Sequence, residues 1–239
     1  MTPASRSPSR AAAHARPTHE GKPDRRQNIL LAAEKLFAKY GYHAVSIRNI
    51  ADEAQVPLAL VGYYFGAKQQ LYHAIFEHWS TMIEERLASL KEAMADQSGD
   101  RLTRIVEAFI APVIRLRASP EGEYYALLMT RGLALQSEEE DAIIREFFDP
   151  MAKAFIDAFH ATLASESKGV TRAQVAWCYQ FALGALLHHI GDTRVHRLSQ
   201  GENRPNDPAV MPQLVAFIAQ GMRGAIQQAQ APAARKKKA

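Results

Sequence analysis

Few side chains in this chain could do covalent or metal chemistry, and their spacing speaks against both. Cys178 is the one cysteine, so an internal disulfide is impossible and a cysteine-based zinc site is not expected. His188, His189 and His196 invite a metal reading. Adjacent histidines on a helix diverge by about 100°, however, at 3.6 residues per turn. No carboxylate or thiol stands at convincing ligand spacing either, so neither a metal nor a cofactor is expected. No nucleophile–base pair is recognisable, and the protein is not expected to be an enzyme. What remain are polar and aromatic side chains that bind without reacting. Arg48 carries a guanidinium able to grip guanine O6 and N7 together, and Tyr63, Tyr64 and Lys68 follow in the same short stretch.

Those residues need helices to hold them. Ile29, Ala33, Leu36, Phe37 and Tyr40 recur at helical spacing, which predicts a first helix over 24–40 with one apolar stripe. Asp24 can cap its start and Gly41 can end it through a left-handed backbone. Ser46 then caps a second helix, 47–54, with Ile47, Ile50 and Ala51 facing inward. Pro57 suits the first turn of a third helix, 58–64. Val56 and Val61 complete the packing, while Leu58, Ala59, Gly62 and Tyr63 face outward. Two short helices joined by a tight turn form a helix-turn-helix, whose second helix lies in the DNA major groove. Tyr63, Tyr64 and Phe65 have a core reading as well, which is preferred for Phe65. Arg48 and Lys68 have a solvated-surface reading.

The rest of the chain reads as helix too, with no convincing strand pattern or glycine-rich phosphate loop. An amphipathic helix is predicted over 68–94, with Leu71, Ile75, Trp79, Met82, Ile83, Leu87 and Leu90 on its buried side. Further segments are expected at 101–117, 121–136, 139–164, 171–191 and 208–228. The expected fold is all-α, with about nine helices. A disordered basic arm (1–22) precedes a helix-turn-helix domain (23–68), a C-terminal bundle (69–228) and a disordered basic tail (229–239). Charge is divided unevenly. Residues 1–68 hold ten Lys/Arg against five Asp/Glu, and residues 69–234 hold fifteen against twenty. A basic end on an acidic body suits nucleic acid, although a solvated tail accounts for the charge equally well. No apolar run is long enough to span a membrane and no secretory signal is recognisable, so a soluble cytoplasmic protein is expected.

The stretch Ser46-x-Arg48-x-Ile50-Ala51-x₄-Val56-x₆-Tyr63-Tyr64-Phe65-Gly66-x-Lys68-x₂-Leu71 resembles the TetR family signature. The upstream Ile29-x₃-Ala33-x₂-Leu36-Phe37-x₂-Tyr40-Gly41 is similar to that family's first helix. The resemblance by motif covers about residues 24–78, and a subgroup ending in Tyr-His/Tyr-Phe-Gly-x-Lys is similar. It implies phosphate contacts from Ser46, Tyr64 and Lys68, a phosphate or sugar contact from Tyr63, and a base contact from Arg48. Leu58, Ala59 and Leu60 are apolar where many members are polar, so they suit thymine methyl groups. Specificity would then lean on Arg48 and DNA shape. Gln55 stands where the turn usually has Gly, at a cost of roughly 1 kcal/mol if left-handed. Gly62 stands where many members have Tyr, leaving a gap in the reading surface.

The same resemblance implies a C-terminal domain that binds a small molecule and forms the dimer. Leu128, Phe147, Phe148, Met151, Phe155, Trp177, Phe181 and His188 could line an apolar pocket, although ordinary core packing explains any one of them. Arg131, in an otherwise apolar helix, could meet an anionic ligand head or pair with the acidic run Glu138–Asp141. The segments 171–191 and 208–228 carry small residues and an apolar face suited to a homodimer seam. The expected function is a regulator, a repressor released from a palindromic double-stranded DNA operator by a small hydrophobic effector. The alternative is a helical acyl-binding protein or enzyme with an incidental helix-turn-helix.

Overall fold

A computed structural model describes residues 24–120, 122–135 and 137–230. The arm expected at 1–22 and the tail beyond Gln230 lie outside the described residues. Among the described residues the regular structure is helical throughout. The elements are α1 (Arg25–Tyr40), α2 (Ile47–Glu53), α3 (Leu58–Phe65), α4 (Lys68–His78), α5 (Ser80–Ala95), α6 (Arg101–Ala118), α7 (Glu123–Leu135) and α8 (Glu138–Ile143). A π-helical turn (Ile144–Phe148) leads into α9 (Asp149–Glu166), α10 (Arg172–Gly191) and a short α11 (Val195–Leu198) that was not expected. A 3₁₀ turn (Pro208–Val210) opens α12 (Met211–Gln230), which runs two residues past its expected end. No described helix is long and apolar enough to cross a membrane.

The local signals that start and stop the first helices act as expected. The Asp24 carboxylate accepts the backbone N–H groups of Arg26 and Gln27, and Gly41 ends α1 at φ +86°. A Cβ at position 41 would also lie 2.6 Å from Arg131 Nη2, so the arginine's flexible end would have to shift to accept one. Tyr40 departs from the expected stripe and is exposed. Pro57 sits one residue before α3, at its N-cap, and not inside the first turn.

Two long helices expected from periodicity are broken. The stretch 68–94 divides into α4 and α5 at Trp79, whose backbone stands at φ −97°, ψ 8°. Its apolar spacing continues across the break, so periodicity alone cannot reveal it. The stretch 139–164 divides into α8, the π-helical turn and α9, with Pro150 in the first turn of α9. A proline mid-helix lacks the N–H and crowds the carbonyl four residues earlier, and the widened π turn relieves both problems.

The body is a bundle in which α6 is central. It packs against α5, α7, α9 and α12, while α10 covers α9 and α12. Phe109 of α6 meets the rings of Phe155 and Tyr179 at 5.2 and 5.3 Å. At one end Arg223 of α12 donates to both oxygens of Asp100, the N-cap of α6, and to Glu166 at the end of α9. This fork–fork geometry holds the Asp100 carboxyl far below the usual carboxylate range. The head, α1–α3, joins the body through α4 and through the packing of α1 on α7.

Candidate nucleic-acid interface

The helix-turn-helix is built from an apolar inside and a strong cap on α2, whereas α3 starts at Pro57 without a side-chain cap. Ile50, Ala51, Val61 and Phe65 are buried against Ile29 and Phe37 of α1. Each fully buried large apolar side chain contributes roughly 1.5–3 kcal/mol. The Ser46 side chain accepts the Asn49 backbone N–H at 3.1 Å, and Asn49 Oδ1 accepts the Ser46 N–H at 2.9 Å. This is a reciprocal capping box with asparagine in the usual Glu/Gln position. The turn after α2 keeps its left-handed residue without glycine, with Gln55 at φ 54°. Its N–H donates to Asp52 O, and Val56 N–H donates to Ala51 O. That pair of bonds is a Schellman motif, and it satisfies carbonyls that would otherwise be stranded.

These supports set out a surface. Arg48 is exposed on α2. On α3, Leu58, Ala59, Gly62, Tyr63 and Tyr64 are exposed, with Tyr63 at 79%. The Tyr63 and Tyr64 rings meet edge to face at 5.2 Å. A Cβ added at Gly62 would touch nothing within 4 Å, so the expected gap is real and open. Leu60 departs from the set, since it is half-buried and packs against the core. Lys68, also half-buried, lies with its ammonium 4.2 Å from the centre of the Tyr42 ring. Phe65 is core.

The C-terminal candidates fall into three places. Leu128, Phe148, Met151 and Phe155 are buried, and Phe147 is half-buried beside Phe76. The cleft among Tyr72, Phe76, Leu128, Met129, Ile143 and Phe148 is nearly filled, with about 10 Å³ free, room for one water at most. Trp177, Phe181 and His188 line no such interior. All three are exposed on the outer face of α10, where Trp177 stacks on Phe181 and His188 pairs with Asp192. Helix periodicity cannot say which apolar stripe of a two-sided helix faces inward. Arg131 forms no ion pair with the acidic run Glu138–Asp141. Its Nη2 donates to Tyr40 O at 3.4 Å, across the junction of head and body.

Besides Glu140 of the acidic run, two charged residues are buried, and sequence reasoning missed both. Glu34 lies on the inner face of α1 at 1% exposure. Its Oε2 accepts the Trp79 indole N–H at 2.8 Å, and the Tyr125 backbone amide, in the first turn of α7, adds a smaller pull toward the charged form. Burial outweighs both and raises its pKa to about 7. Trp79 in turn stacks on Tyr125 at 5.1 Å and 18°. A continuous contact thus runs from the head, through the α4–α5 break, to α7. Arg86, 2% exposed in α5, is the second. The signal for both was present, because Leu30, Glu34 and Phe37 share one helical face, as do Met82, Arg86 and Leu90.

Comparison with known proteins agrees with this architecture. Residues 29–75 match the family described as bacterial regulatory proteins, tetR family. Residues 107–221 match the tetracyclin repressor-like C-terminal domain. The HTH-type transcriptional repressor NicS of Pseudomonas putida is 34% identical over 85 residues, which is 36% of this chain and 39% of that protein. The HTH-type transcriptional activator FasR of Mycolicibacterium smegmatis is 31% identical over 88 residues, again 36% and 39%. The chain thus matches about two-fifths of the length of these relatives. The fold is similar to that of the transcriptional regulator FadR of Bacillus subtilis, solved with stearoyl-CoA, at a TM-score of 0.56 and 17% identity over 82% of this chain and 98% of that one. With its helix-turn-helix and its C-terminal bundle each matched in turn, the chain belongs to the tetR family of bacterial regulatory proteins.

Proposed function

We propose that the protein is a transcriptional regulator that binds a palindromic DNA operator as a homodimer and acts as a repressor. The observation that carries this reading is the exposed rim of the helix-turn-helix. Arg48, Tyr63 and Tyr64 stand in solvent on helices whose inner faces are buried, and α2, which carries Arg48, is capped by Ser46. Arg48 is assigned a base edge. Ser46, Tyr63, Tyr64 and Lys68 are assigned the DNA backbone, which sets register and affinity without reading sequence. Leu58 and Ala59 suit thymine methyls, with Leu60 contributing from its half-buried position.

The dimer seam is assigned to 171–191 and 208–228. There the exposed Trp177, Phe181 and Phe217 flank an apolar groove of about 140 Å³ between α10 and α12. Two copies joined there hold two reading heads for two half-sites. A small hydrophobic effector is assigned to the interior around Leu128, Phe147, Phe148, Met151 and Phe155, which must open to admit it. Such a ligand weakens operator binding only insofar as it prefers the non-binding conformation. FadR of Bacillus subtilis, with its bound stearoyl-CoA, is a neighbour in fold that suits this reading.

A gel-shift titration with fragments of the source genome tests the proposal. The expected result is a salt-sensitive, sequence-selective complex that Arg48→Ala weakens by about tenfold or more, in line with the roughly 1–3 kcal/mol of a bidentate base contact. A complex indifferent to sequence, or to Arg48→Ala, would sink it.

A further inference from the structure

Arg86 is the one described arginine buried this deeply. It sits mid-body on α5, with its guanidinium carbon 5.0 Å from the centre of the Phe109 ring and 5.7 Å from that of Phe155. Nη2 donates to the Phe109 carbonyl at 2.8 Å, while Nε is buried and unpartnered. Among the described residues no carboxylate pairs with it. The titratable side chains nearest in effect are the neutral phenols of Tyr125 and Tyr179, which cannot balance its charge. The Tyr125 hydroxyl is itself fully buried and unpartnered. Burial lowers the Arg86 pKa to about 10, so it remains a cation at neutral pH. A buried cation without a counter-charge is strongly unfavourable, and an apolar residue of the same size would pack at least as well.

We propose that Arg86, together with the buried and unpartnered Tyr125 hydroxyl, anchors the carboxylate of an apolar monocarboxylic acid inside the C-terminal bundle. The planar fork of a guanidinium matches a carboxylate, and the phenol supplies one further donor. The rings of Phe109 and Phe155, fully buried and 5.2 Å apart, must part to admit the rest of the molecule, to which they present apolar walls. They leave no second cation there to neutralise a doubly charged phosphate. The wall that contains Phe155 begins at the π-helical turn Ile144–Phe148, the kind of local widening that often marks functional sites in helices. Tyr125 also stacks on Trp79, whose indole holds Glu34 of the head. An acid drawn to Arg86 and Tyr125 therefore acts on the contact that joins body to head. This consequence for DNA rests on the proposed operator-binding function, whereas the site itself does not.

The test is calorimetric titration of the full-length protein, without DNA, using two acid–alcohol pairs: decanoate against decan-1-ol, and phenylacetate against 2-phenylethanol. At least one acid is expected to bind about tenfold or more tightly than its alcohol, the range of a charge-assisted hydrogen bond. Arg86→Met is expected to abolish that preference while melting at the same or a higher temperature. Tyr125→Phe, which keeps the ring, is expected to reduce the preference severalfold and serves as the deciding variant if Arg86→Met does not fold. Absence of acid preference in the wild type overturns the proposal, as does its persistence in Arg86→Met or its full persistence in Tyr125→Phe. An acid that binds through Arg86 but leaves an operator complex intact upholds the site and overturns only its link to DNA release.

Discussion

The head and the body of this protein place their polar chemistry on opposite sides of their cores. In the head, Arg48, Tyr63 and Tyr64 stand in solvent, and the interior is apolar apart from Glu34 at its edge. In the body the charged group of greatest interest, Arg86, is inside, among Phe109, Phe155 and Tyr179. A surface meant for a large, hydrated polyanion must be exposed, and it adds little to stability. A charge in a closed interior weighs on stability whatever else it does. The two regions should therefore respond to substitution in different ways.

The largest effect is expected from Phe109→Ala. That side chain is fully buried and forms one wall beside Arg86, so its loss should cost about 3–5 kcal/mol in urea denaturation. A loss below about 1 kcal/mol would show that the body relaxes around the cavity and is softer than the contrast requires.

Glu34→Gln comes next, because it lies on the boundary between the two regions. The Glu34 pKa is raised from 4.5 to about 7, so the folded state holds a proton that the unfolded state releases between those values. This group's contribution is therefore most favourable below about 4.5, declines as pH rises toward 7, and is level above that. Gln keeps an acceptor for the Trp79 indole and removes the charge. At pH 8 it should stabilise the protein by up to about 3 kcal/mol, at 1.36 kcal/mol per pKa unit, with almost no gain at pH 4. Melting curves across that range check it, and an equal gain at both pH values would exclude the titration of Glu34 as the cause.

Gly62→Ala tests the head. The added methyl meets nothing, so α3 should gain about 0.5–1 kcal/mol, measured by thermal unfolding. A decrease in stability would mean that the reading face is packed more closely than its open surface indicates. Smallest of all is the stability effect of Tyr63→Ala, expected within about 0.5 kcal/mol for an exposed side chain. Operator affinity should fall nonetheless, and a gel shift run beside the melt separates the two.

Most of the head was legible in the sequence because its determinants are local. Caps act within three residues, as Asp24 and Ser46 do, and the apolar stripe Ile29–Ala33–Phe37 reports one face of one helix. Gln55 shows the same locality from the other side, since its left-handed backbone is imposed by the turn and accepted despite the side chain. The body was legible as a set of helices but not as a site. Trp177 and Phe181 looked like pocket lining, yet they belong to the outer face of α10. That Arg131 reaches Tyr40 O in the head was likewise not legible from its own helix.

The amino-acid sequence by itself determined that the chain is all-helical, that Ser46–Phe65 forms a helix-turn-helix, and which residues lie on its exposed rim. Hydrogen-bond caps and 3.6-residue periodicity are written along the chain. Only the tertiary structure decided that the helices over 68–94 and 139–164 break, that Glu34 fastens the head to Trp79, which stacks on Tyr125 of α7, and that Arg86 lies unpaired among aromatic rings. Those outcomes depend on residues far apart in sequence meeting across helix faces. The fate of a buried charge is set by its neighbours in space, which no spacing along one helix can specify.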